Sequence, residues 1–126
     1  GGVVGVNIVE DKRQRRVWNK RDPHCPKDAI YIGRPGPYGN PYSHLKRAAV
    51  DWQHRTRTRE EAIALFIEDM EKLRVCAPMI YKQLCDQLRG HDFACWCAPF
   101  GGIGYQDGNT MICHGQYYLK ITRIIL

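Results

Sequence analysis

The stretch from Thr58 to Gly90 most constrains what this chain can become, because it reads as two helices placed back to back. Thr58 followed by Glu61 fits a capping box, in which each side chain satisfies a backbone N–H left open at a helix start. Beyond it Ile63, Phe66, Ile67, Met70 and Leu73 recur at helical spacing with charges between them, which predicts a helix over residues 59–74. Pro78 suits the first turn of a second helix. Ile80, Tyr81, Leu84, Cys85 and Leu88 would form its apolar stripe, and Gly90 is placed to end it.

Short β-rich runs lie on both sides of this helical block. "GGVVGVNIV" reads as a strand weakened by its glycines, "DAIYIG" as a second strand and "DFACWC" as a buried third. "QYYLKITRIIL" fits either period, and the basic residues 10–27, broken by "DPHCP", read as irregular. At 126 residues, 44% apolar and 25% charged, the chain has the length and composition of one globular core. The expectation is an α/β fold: a single domain over residues 1–126, with a small mixed sheet flanked by two or three helices. No run approaches the ~18 apolar residues of a membrane helix, and no leader pattern opens the chain. A cytoplasmic protein with no membrane partner is therefore expected.

Six cysteines, Cys25, Cys76, Cys85, Cys95, Cys97 and Cys113, are available. A disulfide framework belongs mainly to short secreted chains, and Cys76 and Cys85 fall where core-facing helix positions are predicted. Cys95 and Cys97 are different. On a strand, residues i and i+2 share a face, so both sulfurs can reach one tetrahedral ion. Cys113 or His114 would complete the set once the intervening residues fold back, and Cys₃His favours zinc over iron. Two other readings stay open. These residues can be buried thiols around a core histidine, or Cys113 can be a nucleophile and His114 a general base. His24 and Cys25, held between two prolines, are reserve ligands.

"YIGRPGPYGNPY" is the second candidate site. It begins as a strand and empties into a turn, which is where α/β folds commonly place ligands. Gly33, Gly36 and Gly39 allow close backbone approach, Arg34 offers a fork for phosphate, and Asn40 can donate and accept. Neither GxGxxG nor a P-loop ending is present. The alternative is a rigid structural turn.

Charge is distributed unevenly. Residues 1–60 carry thirteen Lys/Arg against six Asp/Glu, whereas residues 61–126 carry six against seven. The surplus gathers around Arg13, Arg15 and Arg16, with Trp18 beside them, a combination suited to phosphate contacts and base stacking. A merely solvated basic face is the plainer alternative.

Taken together, "YIGRP", "GNP", "TREEAIALF", "CWCAP" and "CH" resemble a domain-of-unknown-function family found in bacteria and bacteriophages. The resemblance spans residues 29–121 and leaves the basic residues 10–27 outside. It implies a shared fold and site at Gly33, Arg34, Pro35, Gly39, Asn40, Pro41, Cys95, Trp96, Cys97, Cys113 and His114, without implying a reaction. The chain departs from the family pattern in a longer segment between Cys97 and Cys113, and in Gln116 where the family has aspartate. If that carboxylate takes part in chemistry, this chain keeps the fold without the activity.

The leading expectation is a domain that binds nucleotide or nucleic acid through the Arg34 loop and the Cys/His cluster, with zinc as cofactor. The second is an enzyme on nucleotides or modified bases using Cys113 or His114. The third is a phage-type protein that engages a host protein partner through its basic surface.

Overall fold

The computed structural model describes residues 9–10, 14–45 and 48–125. Its elements run β1 (Val9–Glu10), β2 (Val17–Asn19), β3 (Ile30–Tyr31), a 3-10 turn (Trp52–His54), α1 (Arg59–Cys76), α2 (Pro78–Leu88), β4 (Phe93–Cys95), α3 (His114–Ile121) and β5 (Ile124–Ile125). The α/β expectation holds, with three helices. The strands divide into a three-stranded sheet of order β2-β4-β3 and a separate β1–β5 pair. Within the sheet both pairings are parallel, whereas β1 and β5 run antiparallel.

The helix starts follow from local chemistry. The Thr58 hydroxyl accepts from the Glu61 N–H at 3.1 Å and so caps α1. Pro78 opens α2, and Gly90 follows it with φ +84°. α3 is capped by Cys113, with Gln116 as the reciprocal partner: its Oε1 accepts from the Cys113 N–H at 3.2 Å and from the Ile112 N–H at 2.7 Å. Gln116 also donates to the Gly104 carbonyl, tying the preceding loop to the helix start. Where the family resemblance raised a missing carboxylate, the amide therefore performs a structural task.

A core of Val17, Ile32 and Phe93 from the sheet meets Phe66 and Met70 of α1, Leu88 of α2, and Tyr117, Tyr118 and Leu119 of α3. α3 lies close against the sheet because Gly115 carries no side chain. A Cβ there would stand 2.5 Å from Ile32 Cδ1 and 2.8 Å from Val17 Cγ2. We expect Gly115→Ala to cost about 1–3 kcal/mol, the range of overpacked cores, read as a lower urea midpoint with an unchanged slope. An unchanged midpoint would mean that α3 shifts away without cost.

Three expectations need correction. The basic segment 10–27 is not wholly irregular, because it contains β2, an edge strand whose three residues are too few for any periodicity to show. Cys76 is exposed rather than core-facing, and Ile80 is 57% exposed. Both lie at the α1–α2 corner, where Val75 and Met79 are also uncovered. The ambiguous C-terminal run is both things in turn, helix to Ile121 and then β5. The first expected strand lies largely in residues 1–8, outside the described residues, as does Arg13.

Candidate metal centre

Parallel strands bring their carboxyl ends to one edge of a sheet, and α/β proteins place ligands there. At this edge β4 ends in Cys95 and runs into Trp96 and Cys97, while β3 runs into the Arg34 loop. The segment 98–112 detours through Gly101, Gly102 and Gly108, all at positive φ, and returns Cys113 and His114 to the same edge. One donor atom from each of Cys95, Cys97, Cys113 and His114 lies within 4.8 Å of the others. Together they can hold a metal ion.

Cys95 Sγ is 3.1 Å from Cys97 Sγ, which is 3.2 Å from Cys113 Sγ. All six cysteines are free thiols. Cys95, Cys113 and His114 are buried, whereas Cys97 is an exposed residue whose sulfur is part-buried. The three sulfurs share protons unequally. Hydrogen bonds from Cys113 and then Cys97 hold the Cys95 thiol well below the usual thiol range. Cys113 is pushed far up by its bonds to Cys95 and Cys97 and by burial. For Cys97 the bond with Cys113 favours the thiolate, but Cys95 and burial together outweigh it and raise its pKa. A cation in the cluster would displace the protons that the sulfurs share.

His114 is oriented from outside the cluster. Its Nε2 lies 2.8 Å from the Ile32 carbonyl and 3.1 Å from the Tyr38 carbonyl. Carbonyls only accept, so Nε2 carries the proton and Nδ1 keeps the lone pair. A ligating histidine is held in this way, with its far nitrogen donating to a backbone carbonyl. Burial lowers the His114 pKa, which keeps the ring neutral as a metal ligand requires. Phe66 and Tyr118 stand edge-on to the ring at 5.2 and 5.7 Å. Tyr38 also accepts from the Tyr118 hydroxyl at 2.8 Å, so one carbonyl of the proline-rich loop fixes two side chains of α3. Sequence reasoning missed Tyr38 because the contact is made by its backbone.

The Arg34 loop and the cluster share one cavity of about 90 Å³. Arg34, Asn40, His44 and Arg59 line it together with Cys97, Cys113 and His114. Arg34 Nη1 donates to the Asn40 and Tyr42 carbonyls at 2.6 and 3.1 Å. This bracing orients the guanidinium and leaves its remaining N–H groups without a partner among the described residues. No carboxylate lines the cavity among the described residues. Asn40 is largely committed to the fold, donating to the Ala62 carbonyl and accepting from the Tyr42 N–H. Gly33, Gly36 and Gly39 do not line it. They let the loop close tightly, since a Cβ on Gly39 would stand 3.0 Å from the Gly33 carbonyl oxygen.

The other expected residues fall elsewhere. Arg15 is 8% exposed and donates to the Leu88, His91 and Thr122 carbonyls and to the Thr122 hydroxyl. It is a buried clamp across the ends of α2 and α3, not part of a basic surface. Arg16 and Trp18 stay at the surface, stacked with 5.9 Å from guanidinium to ring centroid. His24 pairs with Asp22, and Cys25 donates to the Pro26 carbonyl, so neither joins the cluster. As a nucleophile Cys113 is poorly served, being 1% exposed with its thiol pKa raised.

A four-donor Cys/His cluster at the carboxyl edge of a parallel sheet, with three of its members lining a cavity shared with Arg34 and Arg59, marks a small α/β domain with a candidate metal centre. Within that class the chain belongs to the family described as a domain of unknown function (DUF4326), which it matches over residues 14–123. No curated protein and no solved structure matches it. The match begins at Gln14, so most of the basic segment belongs to the family domain rather than lying outside it. Among the described residues no helix is long and apolar enough to cross a membrane.

Proposed function

We propose that this chain is a zinc-holding domain that binds a phosphate group, carried by a nucleotide or a nucleic acid, in the cavity beside the metal. The observation that carries the reading is the shared cavity, lined by three members of the Cys/His cluster and by Arg34 and Arg59. Three thiolates and one imidazole suit zinc in a closed tetrahedral site. With the sulfurs at ~2.3 Å from zinc, tetrahedral geometry separates them by about 3.8 Å, so from 3.1 and 3.2 Å they spread by about 0.6–0.7 Å on binding.

Zinc with three thiolates carries a formal charge of about −1, which the two arginines outweigh. The cavity is far below the ~300 Å³ of a small-molecule pocket. It suits one anionic group, with the rest of the ligand lying outside. A closed four-ligand site has no open position for substrate, which favours a metal that shapes the site over one that performs a reaction.

Calorimetric titration of the purified protein with a nucleoside monophosphate at low salt tests the reading. We expect binding that weakens as salt rises and falls at least tenfold in Arg34→Ala and Arg59→Ala, with the fold and metal content unchanged. Equal binding by these variants, or none by the unmutated protein, would refute the phosphate site.

A further inference from the structure

The three-stranded sheet has two unlike faces. Along β2 and β4, Val17, Phe93 and Cys95 point into the core, at 0%, 0% and 4% exposure. Alternate residues of a strand point the opposite way. On that opposite face Trp18 and Tyr31 are both register partners of Ala94, one from each neighbouring strand. Two half-buried aromatic rings therefore flank a small central residue. Trp96, two residues beyond Ala94, continues the row and is 48% exposed.

Cations interleave with these rings. Lys20 Nζ lies 4.3 Å from the Tyr31 ring centroid and 5.4 Å from that of Trp96, with the Arg21 guanidinium 5.2 Å from Trp96. Arg16 stacks on Trp18. Among the described residues none of Arg16, Lys20 and Arg21 is ion-paired. The nearby carboxylates have tasks of their own. Asp92 accepts from Trp18 Nε1 at 2.8 Å, and Asp22 is buried and accepts from the Gly101 N–H.

Arg16 also donates to the Gly101 carbonyl at 3.0 Å. Flat rings in a row, with cations over them that no carboxylate pairs among the described residues, match the repeat of a single nucleic-acid strand, in which bases stack and phosphates alternate. A duplex keeps its base faces stacked inside and so gives such rings nothing to stack on. We infer that the outer face of the sheet, formed by Arg16, Trp18, Lys20, Arg21, Tyr31 and Trp96, is a stacking platform for single-stranded nucleic acid. It rests on the phosphate reading above for the class of ligand, but uses different residues. Tyr31 connects the two places, since its hydroxyl donates to the Arg34 carbonyl.

The test is fluorescence anisotropy of the whole protein with a labelled 12-nucleotide strand of mixed sequence and with the same strand in duplex, over a range of salt. The single strand should bind at least tenfold tighter than the duplex. Trp96→Ala should weaken strand binding at least tenfold, and Trp96→Phe should keep most of it. Because Trp96 lies between two cluster cysteines, the charge variant Lys20→Gln/Arg21→Gln gives an independent arm. It should flatten the log–log salt dependence by about 1.4, the value for two lost phosphate contacts to a single strand.

Strand binding unchanged in both variants, or duplex binding as tight as single strand, would overturn the platform. If a nucleoside monophosphate binds but the strand does not, the platform fails while the phosphate cavity stands. If the strand binds through Trp96 and Lys20 while the monophosphate does not bind, the platform stands and the cavity reading falls.

Discussion

If the cluster holds a metal as proposed, stripping it from the folded protein with a strong chelator should lower the thermal midpoint by about 15 °C. A ligand bound only to the native state stabilises by about 4 kcal/mol when its free concentration is a thousand times its Kd. For a domain of this size each kcal/mol moves the midpoint by about 3–5 °C. The cluster gives a structural reason for an effect this large. Its donors come from the end of β4, the bend after it and the start of α3, so a bound ion would tie together segments that the sequence separates. Without it, three thiols, one of them already inclined to ionise, are left packed within hydrogen-bond distance. Cys113→Ser should reproduce the chelated midpoint and make the protein indifferent to chelator. Differential scanning calorimetry reads both results, and a midpoint that chelator leaves unmoved would remove the metal from the account of stability.

The second large effect is expected far from the metal. Arg15→Met should cost about 4 kcal/mol, because the guanidinium supplies donors to two buried carbonyl groups, a part-buried third and one hydroxyl, and hydrogen bonds from a charged donor contribute about 1.5–3 kcal/mol each without adding fully. Methionine restores the length of the stem but none of the donors. It leaves the Leu88 and Thr122 carbonyls, at the ends of α2 and α3, without the partner they now have. Urea unfolding should show a lower midpoint at unchanged slope. Arg16→Gln, at the surface, should stay within about 0.5 kcal/mol of the unmutated protein. If both arginine variants cost the same, Arg15 is not the clamp described.

These two cases show what the sequence could and could not disclose. Helices α1 and α2 were legible because capping, proline and apolar period all act over one or two turns of chain. The cluster was legible in part: i, i+2 spacing on a strand indicated that Cys95 and Cys97 share a side, and the residue types indicated Cys₃His. What the sequence could not show was the partner geometry. The His114 tautomer depends on carbonyls at Ile32 and Tyr38, more than seventy residues away in the chain, and a backbone acceptor leaves no mark on residue identity. Arg15 and Arg16 look alike in a basic run, yet one is buried and the other stacked on Trp18. Strand alternation separates them only once β2 is recognised, and three residues carry too little period for that. The aromatic row was hidden for the same reason, since Trp18, Tyr31 and Trp96 become neighbours only through the β2-β4-β3 order.

We propose that Cys95, Cys97, Cys113 and His114 bind one zinc ion. The most direct test is elemental analysis of unmutated protein purified without added metal, joined to zinc X-ray absorption on the same sample. About one zinc per chain is expected, bound by three sulfurs at ~2.3 Å and one nitrogen at ~2.0 Å. Folded protein with essentially no metal, or zinc bound only through oxygen and nitrogen, would contradict it.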